Sequence, residues 1–212
     1  MCSSDLLVIE GVPPIPPELR TQVEPYLNLG GASFRGWHGA RREAMVTTRI
    51  GDATHLHRMP EPKGKRIALT RGAEPVRNGA FQPGGEKLLY VADQGGDENY
   101  QLWLVDTADP KAAPVRLTDG KSRNTDATWS KDGKWIAYAT NRRDVKASDI
   151  ILVNAADPRE ERVLLRHDTP GWGIADWSDD GQRLLLRVAN GQEDTRRSEE
   201  HTSELQSRQY LV

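Results

Sequence analysis

The sequence predicts an all-β fold: a partial β-propeller of about three and a half four-stranded blades with a period of 48 residues, not a closed ring. Three observations carry this. One stretch occurs three times at that constant interval, beginning at Phe81, Trp129 and Trp177. Its middle copy reads Trp-Ser-Lys-Asp-Gly-Lys-Trp-Ile-Ala-Tyr-Ala-Thr-Asn over residues 129–141. A fixed period in the range of roughly 20–50 residues marks a repeat architecture, in which no unit can bury its apolar face alone. Each interval also holds four short runs separated by turn residues, the layout of a propeller blade. Finally, the hydrophobic share of 36% is modest, which suits many short strands that bury alternate residues.

The elements follow in order. Residues 7–33 form a lead-in with Val12-Pro13-Pro14-Ile15-Pro16-Pro17, where the prolines favour an extended, polyproline-like chain and exclude helix. Such a segment either packs along a domain edge or serves a proline-recognition module. The propeller material spans 34–190. Its first unit is degenerate, with strands at 43–48 and 54–59 and a fourth at 65–70. In Thr54-His55-Leu56-His57-Arg58-Met59 the period of two puts His55 and His57 on one face. That pair could ligate a metal, but no further ligands of matching type lie nearby, so it reads as two histidines on a polar sheet face and no metal site is assigned.

The second unit has strands at 76–81, 86–92, 100–106 and 114–118, the third at 124–129, 134–140, 149–154 and 162–166. Gly84-Gly85, Gln94-Gly95-Gly96-Asp97 and Ala108-Asp109-Pro110 supply the turns of the second; Asp132-Gly133, Arg142-Arg143-Asp144 and Ala156-Asp157-Pro158 supply those of the third. Asp132-Gly133 and Asp180-Gly181 predict type I′ hairpins, with positive φ at both central residues. The aromatic residue closing each first strand, Phe81, Trp129 or Trp177, is expected between neighbouring blades.

With 29 basic and 31 acidic residues the net charge is −2, so no net field draws nucleic acid or an anionic membrane. No apolar run approaches the roughly 18 residues that cross a bilayer. The one cysteine, Cys2, forms no internal disulfide. Both ends look artificial. Residues 197–207 read as an in-frame translation of a common sequencing adapter, and residues 1–6 resemble its reverse complement. Residues 191–212 are therefore expected to be a polar tail, and the intact chain is expected to extend beyond both ends. Neither Cys2 nor His201 then carries functional meaning, and the compartment stays open.

The Trp-Ser-x-Asp-Gly repeat is similar to that of TolB-like propellers. The longer order resembles the N-terminal propeller of bacterial prolyl oligopeptidase family serine peptidases, a group including dipeptidyl peptidase IV and acylaminoacyl peptidase. It comprises Trp37-His38, Thr48-Arg49, Leu56-His57-Arg58, Glu74-Pro75-Val76 and Gly95-Gly96-Asp97-Glu98-Asn99-Tyr100-Gln101-Leu102. The resemblance covers residues 9–188. It implies a propeller capping an α/β-hydrolase domain that hydrolyses peptides through serine, histidine and aspartate, without a cofactor. No catalytic residue is carried onto this chain: it has no Gly-x-Ser-x-Gly, and Gly30-Gly31-Ala32-Ser33-Phe34 lacks the closing glycine. The peptide substrate would meet the propeller through that further domain.

In the family the propeller restricts access and, in some members, supplies acids for the substrate's amino terminus, since a desolvated ammonium needs carboxylate partners. Candidates at positions expected to face the channel are Arg77, Asn78, the loop Asp97-Glu98-Asn99, Arg123, Asn124 and Asp126. Asp97-Glu98 is the nearest to an acidic pair but is read as a solvated loop, and no substrate-binding residue is assigned. A non-catalytic propeller that binds protein partners is the alternative reading.

Overall fold

The computed structural model describes residues 11, 13, 16–27, 31–50, 53–76, 78–109, 111–188 and 209–211. The adapter-like starts at residues 1–6 and 197 and the residues Cys2, Arg77 and His201 lie outside them. Among the described residues four antiparallel sheets follow one another, each with its strands in sequence order. The first holds β1 (Ala32–Trp37), β2 (Ala44–Ile50), β3 (Ala53–Met59) and β4 (Ile67–Ala68). The second holds β5 (Gly79–Phe81), β6 (Lys87–Ala92), β7 (Gln101–Asp106) and β8 (Val115–Arg116). The third holds β9 (Asn124–Trp129), β10 (Trp135–Thr140), β11 (Asp149–Asn154) and β12 (Glu161–Leu165). The fourth comprises β13 (Trp172–Trp177), β14 (Leu184–Val188) and β15 (Gln209–Leu211) among the described residues. β15 falls within the expected polar tail, yet pairs with β14, Leu211 opposite Leu185.

Side-chain alternation turns these sheets into stacked blades. Along β7, Leu102 and Leu104 face the third sheet, while Trp103 and Val105 face the first. Along β10, Ile136 and Tyr138 pack on the second sheet, Ala137 and Ala139 on the fourth. Three apolar clusters result, one per junction between consecutive blades. The closing aromatics sit as expected. Phe81 packs with Met45 and Leu56, Trp129 with Leu89, Leu102 and Leu104, and Trp177 with Ala137, Ala139 and Ile150. Trp129 also donates its indole N–H to Ala80 O at 3.0 Å across the junction. Trp37 closes β1 at the equivalent place, but the described residues put no blade against it; it is 70% exposed and tilts against Phe34 at 5.3 Å.

In the first two blades the fourth strand is shorter than expected because a threonine side chain finishes its ladder. The N–H of Leu56 donates to Thr70 Oγ1 at 3.0 Å and that of Leu102 to Thr118 Oγ1 at 3.1 Å.

Two expectations are corrected. Pro17–Leu27 is an α-helix, α1, rather than extended chain. Pro17 occupies the first helical position, where a missing N–H leaves no bond unmade and the fixed φ suits the helix. The turns at 132–133 and 180–181 are not type I′. Only Gly133 (φ 69°) and Gly181 (φ 67°) have positive φ there, and neither aspartate does. Each turn is instead a longer loop. Gly133 N–H donates to Ser130 O at 2.9 Å, and Ser130 N–H to Trp135 O at 2.8 Å. Ser130 Oγ binds both Asp132 Oδ1 at 2.7 Å and the Trp135 N–H at 2.9 Å, so Asp132 serves as a local hydrogen-bond anchor. Ser178, Asp180, Gly181 and Arg183 repeat the arrangement. These turns stack from blade to blade: Gln82 Nε2 donates to Gly133 O at 2.7 Å, and a Cβ on Gly133 would lie 2.5 Å from Pro83 O.

Candidate functional site

Because each blade starts at one end of its sheet and turns at the other, the loops entering the first strands and those joining second to third strands share the rim opposite the stacked turns. Asn78, the loop Asp97-Glu98-Asn99, Arg123, Asn124 and Asp126 lie towards this rim, and the structure sorts them.

Gln101 anchors the second blade's part. Its buried amide donates to Asn99 O and Ser122 O, both at 2.8 Å, and accepts from Thr118 Oγ1 at 2.6 Å and Gly120 N–H at 2.8 Å. Every hydrogen-bonding site of that amide is used, which fixes the connection into the third blade. Asn124 is a structural tie rather than a channel-facing group. It is 1% exposed and donates Nδ2 to Tyr100 O at 2.8 Å and Ser122 O at 3.0 Å.

The loop Asp97-Glu98-Asn99 is solvated. Asp97 accepts the Asn99 N–H at 2.9 Å, and that bond holds its carboxyl below the usual carboxylate range. Asp97 therefore shapes its own turn. Glu98, at φ 58°, reaches Arg123 Nη1 at 3.5 Å, and the Arg123 guanidinium lies over the Tyr100 ring at 5.6 Å. Asn78 is exposed.

Asp126 is different. It lies in a β-bulge of β9: Thr125 pairs with Ala139 and Thr128 with Ala137, leaving Asp126 and Ala127 opposite Tyr138. Its φ is 53°, a left-handed conformation that L-residues seldom adopt. Its carboxylate receives Arg187 Nη2 at 2.9 and 3.0 Å, across the junction of blades three and four. A Cβ on Gly173 would come 2.0 Å from Asp126 Oδ2, so glycine makes room for the carboxylate. A cavity of about 280 Å³ opens beside this pair, with Arg123, Thr125, Val145 and Trp172 in its walls. Beyond it, Arg143 binds the buried Asp149 carboxylate at 2.9 Å and Asp168 at 2.8 Å, and the Arg143 bonds hold Asp149 below the usual carboxylate range.

His55 and His57 do share one face, but it is buried rather than a solvated polar one. His55 Nε2 lies 3.1 Å from Gly72 O and its Nδ1 3.3 Å from Thr70 Oγ1; His57 Nδ1 lies 3.2 Å from His55 O. No group of three metal-ligating side chains occurs among the described residues.

Two groupings escaped the sequence reading. Arg187 occupies the place taken by Ala139 and Val91 one and two repeats earlier, so a charge in an apolar repeat position was its signal. The other surrounds His38 between blades one and two. Its Nδ1 accepts the N–H groups of Ala40 and Arg41 at 3.1 and 3.2 Å, and its Nε2 lies 3.4 Å from Glu86 Oε2. Arg41 Nη1 reaches the same Glu86 oxygen at 2.9 Å. Burial, with the Arg41 charge beside it, lowers the His38 pKa.

No curated protein sequence matches the chain. Its fold is similar to that of a putative TolB from Agrobacterium tumefaciens, at 17% identity and TM-score 0.60 over 84% of this chain and 61% of that one. It is also similar to a structure from a study of two prolyl endopeptidases, at 16% identity and TM-score 0.62 over 83% of this chain and 27% of that one. Oligogalacturonate lyase from Vibrio parahaemolyticus shares the architecture at 11% identity and TM-score 0.58, over 78% of this chain and 49% of that one. The chain thus spans about three fifths, a quarter and half of these structures. A family described as prolyl oligopeptidase, N-terminal β-propeller domain, matches residues 72–210, which is more than half of the sequence. The chain belongs to the prolyl oligopeptidase N-terminal β-propeller family.

Proposed function

We propose that this propeller gates peptide access to the catalytic α/β-hydrolase domain of a serine peptidase. The supporting observation is the family match over residues 72–210. A propeller rim lined by charged loops screens substrates by size and charge, and the acyl transfer belongs to a serine, histidine and aspartate supplied by the other domain. The present sequence has no Gly-x-Ser-x-Gly.

The test is the genomic reading frame that contains the chain, expressed whole. A Gly-x-Ser-x-Gly downstream, followed by aspartate and histidine, with hydrolysis of aminoacyl chromogenic substrates that a serine-directed inhibitor stops, is the expected result. A frame that ends after the last blade, with no such motif, would instead make the protein a partner-binding propeller and sink this reading.

A further inference from the structure

Asn78 and Gly79 stand where the chain enters the first strand of blade two, and packing dictates the second of them. A Cβ on Gly79 would lie 2.6 Å from Leu56 Cδ1 and 2.9 Å from Leu89 O, inside the junction of blades one and two, so glycine is the residue that fits. Packing thereby places after Asn78 the one residue without a Cβ to crowd an approach to its own backbone nitrogen.

Both groups of this dipeptide are left free. Asn78 is exposed and precedes β5, and its amide has no hydrogen-bond partner among the described residues. The other described asparagines are held: Asn99 by Asp97, Asn124 by Tyr100 O, Asn141 by the Arg123 N–H and Asn154 by Glu160. Ladder bonds in an antiparallel pair fall on alternate residue pairs. Gln82 N–H donates to Lys87 O, so Ala80–Leu89 is the next bonded pair and Gly79–Tyr90 an unbonded one. The Gly79 N–H therefore points away from β6, to the edge of the sheet where no strand pairs with β5.

We propose that Asn78 is a site of self-catalysed deamidation, which adds negative charge to the rim as the protein ages. Gly79 N loses its proton and bonds to Asn78 Cγ; the Cγ–Nδ2 bond breaks, and the side-chain nitrogen leaves with that proton as ammonia. The product is a cyclic succinimide. Water then opens the ring at either carbonyl, giving aspartate or isoaspartate, with no change of oxidation state. Because nucleophile and carbonyl belong to adjacent residues, the reaction is intramolecular and needs no enzyme. Each event replaces a neutral amide by a carboxylate, and the isoaspartate product also adds a methylene to the backbone leading into β5.

Peptide mapping of the 212-residue chain, incubated at neutral pH and digested in mild acid, tests the site. The reading is the mass gain of an amide becoming an acid, with aspartate and isoaspartate resolved by fragmentation. Asn78 should convert roughly tenfold or more faster than Asn99, Asn124, Asn141 and Asn154. The rate should rise with pH, since the deprotonated nitrogen is the nucleophile, and Asn78→Gln, whose longer side chain closes a less favoured ring, should abolish it. Asn190-Gly191, the second such dipeptide in the sequence, is read from a separate peptide. A parallel incubation in urea separates reaction of the folded chain from reaction after unfolding. Conversion that waits for global unfolding lags the urea sample by about a thousandfold or more, whereas the open geometry keeps the two within about tenfold. An Asn78 that stays amidated while the unfolded chain converts, or that converts no faster than the held asparagines, would overturn the proposal.

Discussion

Replacing the closing tryptophans by phenylalanine should have unequal consequences at two blade junctions, although the residues are repeat equivalents. Trp129 and Trp177 are 6% and 9% exposed, so Trp→Phe removes similar buried volume at each. About 40 Å³ at about 24 cal/mol per Å³ costs about 1 kcal/mol. At Trp129 the variant also loses the bond to Ala80 O, adding about 1 kcal/mol. The buried Trp177 indole N–H has no partner among the described residues, so removing it restores about 1 kcal/mol. Trp129→Phe should therefore lose about 2 kcal/mol and Trp177→Phe close to none. Urea unfolding followed by circular dichroism, with midpoint and slope fitted together, reads the difference. If the two variants shift stability within about 0.5 kcal/mol of each other, the hydrogen-bond argument is wrong.

Gly133→Ala should destabilise by about 2 kcal/mol or more, because it combines a left-handed backbone with a Cβ pressed on Pro83 O; a thermal melt unchanged from the parent would contradict the stacked-turn geometry. Burial lowers the pKa of both His38 and His57 from 6.5. The unfolded chain then binds protons that the folded one refuses, so this stability is present above about pH 6.5 and is lost as the pH falls towards the lowered values. The urea midpoint should drop between about pH 7 and 5.5, with a shallower drop in His38→Gln; a flat profile counts against the buried histidines. Purified, the chain itself should not hydrolyse aminoacyl chromogenic substrates, and serine-dependent turnover would show that catalytic groups had been overlooked.

The blades were legible because their signals are local and repeated. Phe81, Trp129 and Trp177 each close a strand, and the alternation that follows assigns residues such as Ile136 and Ala137 to opposite faces. The turn type was not legible, since Asp-Gly fits both a two-residue hairpin and the longer loop, and Ser130 decides between them through a side-chain bond two residues away. Proline content misled at α1 because Pro17 sits where a helix tolerates it best. Around the candidate site, Asp126 was found as a rim position, but its partner lies 61 residues on and meets it only through a bulge and a blade junction. Asn124 illustrates the reverse: a polar residue at a channel position turned inward to bind carbonyls.

The column of stacked turns has an evolutionary consequence. Gln82, Pro83 and Gly133 bring backbone against backbone, so an inserted residue there would displace the neighbouring blade as well as its own. The opposite rim has no such constraint at loops like 94–99 and 141–147, where side chains on long tethers make many of the contacts. Length changes can therefore accumulate on one rim while the other keeps the blades in step. New selectivity can arise in this scaffold by lengthening rim loops, with the strand register left untouched.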